Sequence, residues 1–165
     1  MKKLNLAIIG QGRSGRNIHG AFLRSDMNTL FNVAAVAELD PERRARAETE
    51  YPGCKTFADY RDLFGLNPDL IVNAAYSDQH YAVTKTCLEA GKNVLVEKPF
   101  ARNYYECQDL INTARTHNAT LAVFQQSLYA PYYAEVKKVI DSGILGKITQ
   151  INLRNNGFSR RWDWQ

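Results

Sequence analysis

The sequence predicts an α/β fold, a doubly wound parallel sheet with helices on both faces, followed by the start of a second, incomplete α+β domain. Short apolar runs alternate with segments of helical period through residue 124. Most of these runs are apolar at nearly every position, as expected of parallel strands that are buried on both faces. After residue 124 the alternation stops, which predicts a boundary between domains at 1–124 and 125–165.

Each predicted strand is a short, mainly apolar run that begins or ends at a turn residue. In chain order they are Leu4–Ile9, Phe31–Ala37, Lys55–Phe57, Leu70–Ala75, Asn93–Val96 and Thr120–Phe124. The third run is the weakest of the set. Right-handed crossovers through the intervening helices would bring these strands into one parallel sheet.

Each strand leads into a segment with helix signals. Asp40 and Pro41 can cap and open the helix after the second strand, and Asp59 can cap a brief helix after the third. Ser77 and Asp78 are capping candidates for the next helix, which Gly91 should end. The apolar stripes of the first, fourth and fifth helices are Ile18, Ala21 and Phe22; Val83, Cys87 and Ala90; and Cys107, Leu110, Ile111 and Ala114.

The segment after residue 124 predicts one helix and one strand. Its helical stripe comprises Tyr132, Val136, Val139 and Ile140. Gly143 and Gly146 break this helix before a predicted strand at Lys147–Leu153. Trp162 and Trp164 have little to bury against unless more chain follows, so we expect a fragment of a longer protein; the alternative is an aromatic tail folded back on the first domain.

Composition excludes several classes of function. The net charge of +4 is spread among acidic residues, which argues against a nucleic-acid partner. The first apolar run is too short for a signal peptide or a membrane span, so no membrane association is expected. Three widely spaced cysteines provide no disulfide framework, which favours the cytoplasm, and no metal site is expected.

A glycine-rich turn follows the first predicted strand. Gly10, Gln11, Gly12, Arg13, Ser14 and Gly15 form the pattern G-x-G-x-x-G between a strand and a helix, which is typical of a Rossmann dinucleotide-binding domain. Backbone amides and the positive end of the helix dipole would bind a diphosphate there. The Gly-Lys-Ser/Thr ending of a nucleotide-hydrolysing P-loop is absent. A flavin or S-adenosylmethionine binder is a weaker alternative on the same turn.

Glu38, at the end of the second strand, is a candidate for binding the adenosine ribose. Its position, 23 residues after Gly15, suits a carboxylate that accepts hydrogen bonds from the ribose hydroxyls. Because a carboxylate repels a 2′-phosphate, NAD is expected over NADP, although Arg43 or Arg44 could weaken that preference. As an alternative, Glu38 only begins the cap of the second helix.

A second motif, Glu97-Lys98-Pro99 after the fifth strand, resembles the glucose-fructose oxidoreductase/inositol dehydrogenase (Gfo/Idh/MocA) family. The resemblance extends to the segments 74–80 and 143–148 and spans essentially the whole chain. It implies that Lys98 is the catalytic acid–base group, partly buried beside the nicotinamide. The cofactor-binding residues that it adds to the glycine turn and Glu38 are Ala75, Tyr76, His80, Glu97, Lys98 and Gln126.

The chain departs from that family at several positions. Leu128 stands where an arginine is common, Tyr76 and Ser77 replace the usual Asn and Pro, and no downstream Asp and His motif follows. We therefore expect a cofactor-binding fragment, inactive alone, of an NAD-dependent oxidoreductase that acts on a hydroxyl of a sugar, polyol or related small molecule. The full-length protein is expected to form a homo-oligomer. The alternative is a non-catalytic NAD-binding sensor or regulatory protein of the same fold.

Overall fold

The computed structural model describes residues 2–154 and 156–157, and the chain divides into two compact units, Met1–Phe124 and Gln125–Gln165. The strands of the first unit are β1 (Leu4–Ile9), β2 (Phe31–Ala37), β3 (Lys55–Phe57), β4 (Leu70–Asn73), β5 (Val94–Val96) and β6 (Leu121–Val123). They form one parallel sheet in the order β3-β2-β1-β4-β5-β6. The order reverses between β1 and β4, so a crevice opens beyond their carboxyl ends.

Helices connect the strands and cover both faces of the sheet. Helix α1 begins with a π-helical segment, Arg13–His19, and continues over Gly20–Leu23; it is followed by α2 (Pro41–Glu50), α3 (His80–Glu89) and α4 (Tyr104–Thr116), with 3₁₀ segments at Tyr60–Leu66 and Ser77–Gln79. The second unit contains a 3₁₀ segment, Gln126–Tyr129, and helix α5 (Pro131–Asp141). No helix in residues 2–154 and 156–157 has the length and hydropathy that a bilayer crossing requires.

The hydrophobic core has two layers, one on each face of the sheet. Alternate residues of β1 point to opposite sides: Leu6 and Ile8 belong to one apolar cluster, and Ala7 and Ile9 to the other. Burial on both faces explains why the strands are apolar at almost every position. The predicted doubly wound sheet is therefore confirmed.

Local signals in the sequence agree with most of the helix and strand boundaries. The side chain of Asp40 accepts hydrogen bonds from the amides of Glu42 and Arg43, and the side chain of Asp59 accepts one from the amide of Arg61. Gly91 has a φ of 69° and is the second residue after α3, directly after the C-cap residue Ala90, as a glycine that ends a helix should be. The capping predicted for these helices is confirmed.

Two predicted details are wrong. Neither Ser77 nor Asp78 caps α3, because they form a 3₁₀ turn ahead of it that has no side-chain cap. The segment Lys147–Leu153 forms no strand, since no neighbouring segment in the described part of the chain pairs with it and a strand requires ladder hydrogen bonds. The aromatic residues Trp162 and Trp164 lie outside the described residues.

The turn between β1 and α1 requires glycine at two positions for steric reasons. Gly10 has a φ of 90°, and a Cβ there would lie 2.5 Å from the carbonyl oxygen of Ala74. A Cβ on Gly15 would lie 1.9 Å from the carbonyl oxygen of Gly10. Helix α1 therefore packs directly on the end of β1, which places its first turn at the carboxyl edge of the sheet.

Replacing Gly15 with alanine should destabilise the fold, because the added methyl meets backbone rather than a mobile side chain. We expect Gly15→Ala to lower the free energy of unfolding by about 3 kcal/mol, near the upper end for overpacking, as measured by urea denaturation. Gly65→Ala is the matched control, because a Cβ at Gly65 meets nothing within 4 Å. Equal stability of the two variants would contradict this account of the turn.

Candidate active site

One edge of the sheet gathers the residues that directly follow the strands. The amides of Gly10, Glu38, Ala74, Glu97 and Phe124 each donate a hydrogen bond to a carbonyl of the neighbouring strand. All of these residues therefore lie at the carboxyl edge, beside the crevice where ligands of doubly wound sheets bind. The glycine turn and Glu97-Lys98-Pro99 share this edge.

The glycine turn offers backbone amides and open space. Gly12 precedes the first residue of α1, and no side chain caps the amides of the first helical turn. A Cβ on Gly12 would meet no atom closer than the Arg43 guanidinium, at 4.0 Å, so a ligand can approach the backbone there. Arg13 is exposed and Ser14 is half-buried at the start of the same turn. Amides at a helix N-terminus with space in front of them suit a diphosphate.

Gln11 adds a buried polar group to this turn. Its side chain is 2% exposed, and its amide nitrogen Nε2 has no hydrogen-bond partner among the residues that the structure describes. A buried donor without an acceptor is costly. This unsatisfied donor and the open backbone at Gly12 both fit a site that takes an oxygen-rich anionic group.

Glu38 lies against the glycine turn. Its Oε2 accepts a hydrogen bond of 2.7 Å from the amide of Gln11, and its Oε1 accepts one of 3.1 Å from the amide of Asp40. The cap of α2 is Asp40 rather than Glu38. The structure thus brings the carboxylate to the glycine turn, where a ribose next to a bound diphosphate would meet it.

The two neighbouring arginines differ in their contacts. Arg44 donates hydrogen bonds of 2.6 Å and 2.8 Å to the carbonyl oxygens of Glu38 and Leu39, so its guanidinium is committed to the backbone. Arg43 lies 3.7 Å from the Glu38 carboxylate and 3.5 Å from that of Asp40. Of the two, only Arg43 stands beside the open space at Gly12.

The segment after β4 is held by a buried asparagine. Asn73 is fully buried; its Nδ2 donates to the hydroxyl of Thr84, and its Oδ1 accepts from the amide of Ala75. Ala75 is half-buried and Tyr76 is exposed at the edge of the sheet. Asn73 thereby fixes the path of the chain at Ala75, the first of the two residues after β4 that were predicted to contact the cofactor.

His80 is buried at the start of α3. Its Nδ1 lies 2.7 Å from the carbonyl oxygen of Pro99, and its Nε2 lies 3.1 Å from that of Ala75. The ring is 1% exposed and joins the segments that follow β4 and β5. In this structure His80 therefore contacts the backbone beside Lys98.

The Glu97-Lys98-Pro99 turn combines a buried carboxylate with an exposed ammonium. Glu97 is 2% exposed; its Oε1 lies 2.9 Å from Nε2 of His19, and its Oε2 accepts from the amide of Lys98 at 3.1 Å. Burial opposes ionisation of this carboxyl, but the hydrogen bond from His19 and the contacts with Lys98 hold the pKa of Glu97 below its usual value.

The Lys98 side chain is exposed at the edge of the sheet, whereas partial burial was expected. The expectation was wrong because the side chain extends outward from a turn whose preceding residue, Glu97, takes the buried position. Among the residues that the structure describes, no carboxylate lies within ion-pair distance of its ammonium. Its Nζ is thus free to meet a ligand in the crevice.

Gln126 belongs to the second unit. It opens the 3₁₀ segment Gln126–Tyr129 and is exposed. The remaining predicted site residues, which follow β1, β2, β4 and β5, lie in the first unit and share its carboxyl edge.

Sequence reasoning missed His19 and Asn73. A buried polar residue gives no periodic signal, because hydrophobic patterns mark only its apolar neighbours. For His19 a signal did exist: it follows Gly15 by four residues and so lies on the same face of α1, the face that packs on the sheet. A histidine on that face must find a polar partner, and Glu97 is the one it meets.

Comparison with known proteins identifies relatives of this chain. An uncharacterized oxidoreductase of Schizosaccharomyces pombe is 29% identical over 168 aligned residues, which cover 100% of this chain and 46% of the relative. The crystal structure of myo-inositol 2-dehydrogenase from Lactobacillus plantarum matches with a TM-score of 0.80 and 30% identity over 89% of this chain and 43% of that one. The chain spans about half the length of the relatives that it matches.

A further solved structure resembles the chain to a similar degree. The WlbA dehydrogenase of Bordetella pertussis, solved in complex with NADH and UDP-GlcNAcA, matches with a TM-score of 0.79 and 25% identity, covering 88% of this chain and 44% of that one. Residues 4–125 match the family model GFO_IDH_MocA, described as an oxidoreductase family with an NAD-binding Rossmann fold. The chain belongs to this family of NAD-binding oxidoreductases, as its Glu97-Lys98-Pro99 turn had indicated.

Proposed function

We propose that this chain is the cofactor-binding part of an NAD-dependent oxidoreductase that transfers hydride between the nicotinamide and a hydroxyl-bearing carbon of a sugar, polyol or related small molecule. The observation that carries the proposal is the position of Lys98 at the same sheet edge as the glycine turn. One strand, β4, separates β1 from β5. At about 4.8 Å between strands, the two turns are roughly 10 Å apart.

Different residues of the first unit bind different parts of the cofactor. The amides of the glycine turn bind the diphosphate, and Glu38 accepts hydrogen bonds from the adenosine ribose. Ala75 and Tyr76 line the crevice between these groups and Lys98, on a path that Asn73 and His80 fix by hydrogen bonds. In this arrangement Lys98 would face the nicotinamide half of the cofactor.

Lys98 performs the proton transfer of the reaction. The bound NAD supplies the hydride acceptor. As the alcohol carbon loses hydride, Nζ of Lys98, in its neutral form, accepts the hydroxyl proton, and the C–O bond becomes a carbonyl. In the reverse direction the ammonium returns that proton to the oxygen. The exposure of Lys98 supports this role, since its Nζ can reach a substrate in the crevice.

The substrate class is inferred from the similar solved structures. One is a myo-inositol 2-dehydrogenase, and the other is a dehydrogenase crystallised with UDP-GlcNAcA. Both names point to polyhydroxylated rings. The departure at Leu128 removes one charged group from the expected substrate contacts, which favours an uncharged polyol or sugar over an acid.

The NAD preference can be measured on the 165-residue chain by isothermal titration. We expect NAD to bind at least about tenfold more tightly than NADP, because the Glu38 carboxylate repels a 2′-phosphate. Glu38→Gln should narrow that ratio, whereas Glu42→Gln, an exposed residue on α2, should leave it unchanged. Equal affinities in the unmodified chain, or no effect of Glu38→Gln, would contradict this assignment.

The role of Lys98 can be measured as turnover of the full-length protein that contains this chain. With myo-inositol or glucose as the probe, Lys98→Met should lower kcat by at least about 100-fold, the loss expected for a general acid–base group. Lys92→Met is the control, because Lys92 lies two residues before the amino end of the same strand, β5, and thus away from its carboxyl end. Unchanged kcat in Lys98→Met would refute the acid–base role. Tight NAD binding without turnover of any polyol or sugar would favour the alternative, a non-catalytic NAD-binding sensor or regulatory protein.

A further inference from the structure

We infer that His19 is a positioning residue for the reaction: through Glu97 it holds the turn that presents Lys98 to the crevice. The inference rests on the function proposed above, in which Lys98 meets the nicotinamide half of the cofactor. His19 lies on α1, the helix whose first turn binds the diphosphate, and 78 residues separate it from Glu97. The contact therefore joins the two motifs of the site.

The contact between His19 and Glu97 is buried and well defined. Nε2 of His19 lies 2.9 Å from Oε1 of Glu97, and the two side chains are 7% and 3% exposed. The imidazole packs against Phe124, with ring centroids 4.4 Å apart. With an aromatic ring on one side and the carboxylate at its edge, His19 is held in a single orientation.

Glu97 transmits this restraint to Lys98. Its second oxygen, Oε2, accepts a hydrogen bond of 3.1 Å from the backbone amide of Lys98. Its own amide donates to the carbonyl oxygen of Asn73 at 3.0 Å, which fixes Glu97 to the neighbouring strand. The carboxylate thus links the ring of His19 to the peptide group from which the Lys98 side chain extends.

The far side of the turn is held by a different histidine. The carbonyl oxygen of Pro99 lies 2.7 Å from Nδ1 of His80, on α3. Lys98 is therefore flanked by two restrained residues, Glu97 and Pro99, and each is in contact with a buried imidazole. Removing His19 releases the Glu97 side and leaves the contact of His80 in place.

Stability alone does not account for a buried histidine–glutamate pair. Burial of a carboxylate is costly, and a well-packed apolar pair of similar volume is often equally stable or more so. What an apolar pair cannot supply is an acceptor for the Lys98 amide and a donor that keeps that acceptor charged and oriented. These two properties set the position of the Lys98 backbone.

The inference predicts a selective effect on the nicotinamide half of the cofactor. In calorimetric titrations of the 165-residue chain, His19→Leu should weaken NADH binding at least about tenfold and change ADP-ribose binding by less than about twofold. ADP-ribose retains the diphosphate and the adenosine but lacks the nicotinamide. His19→Gln, whose amide nitrogen can donate in place of Nε2, should restore NADH binding to within about threefold of the unmodified chain.

The alternatives give different results. Equal weakening of NADH binding and ADP-ribose binding would show that His19 only supports α1. Unchanged NADH binding would show that His19 supports neither α1 nor the turn at Lys98. Either result overturns the inference while the proposed function stands. Failure of the unmodified chain to bind NADH would remove the proposed function and the inference with it. If His19→Leu does not fold, Glu97→Gln provides the same comparison, with the same selective loss expected.

The titration of Glu97 gives a readout that does not depend on the cofactor. Followed by carboxyl-carbon NMR, the pKa of Glu97 should rise in His19→Leu, because burial then acts on the carboxyl without its donor. His117→Leu is the matched control, since it makes the same substitution at an exposed histidine that ends α4, away from Glu97. An equal rise in both variants, or none in His19→Leu, would overturn the inference.

Discussion

The close approach of α1 to the end of β1 is the constraint on which the rest of the site depends. Because neither Gly10 nor Gly15 has a Cβ, the helix can pack on the turn with backbone against backbone. That packing directs the free amides of α1 at the carboxyl edge of the sheet, and it brings the His19 ring, four residues beyond Gly15, down to Glu97. One steric condition therefore sets both the open amides of α1 and the contact between His19 and Glu97.

Much of the fold could be predicted from the sequence, because its determinants are local. The runs Leu4–Ile9 and Phe31–Ala37 are strands with the predicted bounds, since apolar runs that end at glycine or glutamate mark their own limits. Asp40 caps α2 for an equally local reason. Lys147–Leu153 failed as a strand because pairing depends on a neighbour that local pattern does not specify.

The site could be predicted only in part, because motifs identify residues but not their partners. The sequence indicated that Glu38 and Glu97 lie near the cofactor, yet both carboxylates are engaged by backbone amides, Glu38 by Gln11 and Glu97 by Lys98. The contact of Glu38 joins segments 27 residues apart and depends on the strand order, whereas Lys98 directly follows Glu97; the long-range partner of Glu97 is His19, 78 residues away. The burial of His19 followed from the same long-range packing.

The two acidic residues of the edge show how one type of side chain takes two roles. Glu38 accepts hydrogen bonds from two backbone amides and lies close to Arg43, beside the glycine turn. Glu97 is hydrogen-bonded to the imidazole of His19 and to the amide of Lys98. It lies in the interior, where a charged carboxylate is costly to bury. The Glu38 side chain is 10% exposed against 3% for Glu97, and in the function proposed above it would exchange one of its contacts for a ribose hydroxyl. The Glu97 carboxylate instead accepts a hydrogen bond from the Lys98 amide, and in the function proposed above the exposed Lys98 ammonium is the group that would meet the substrate.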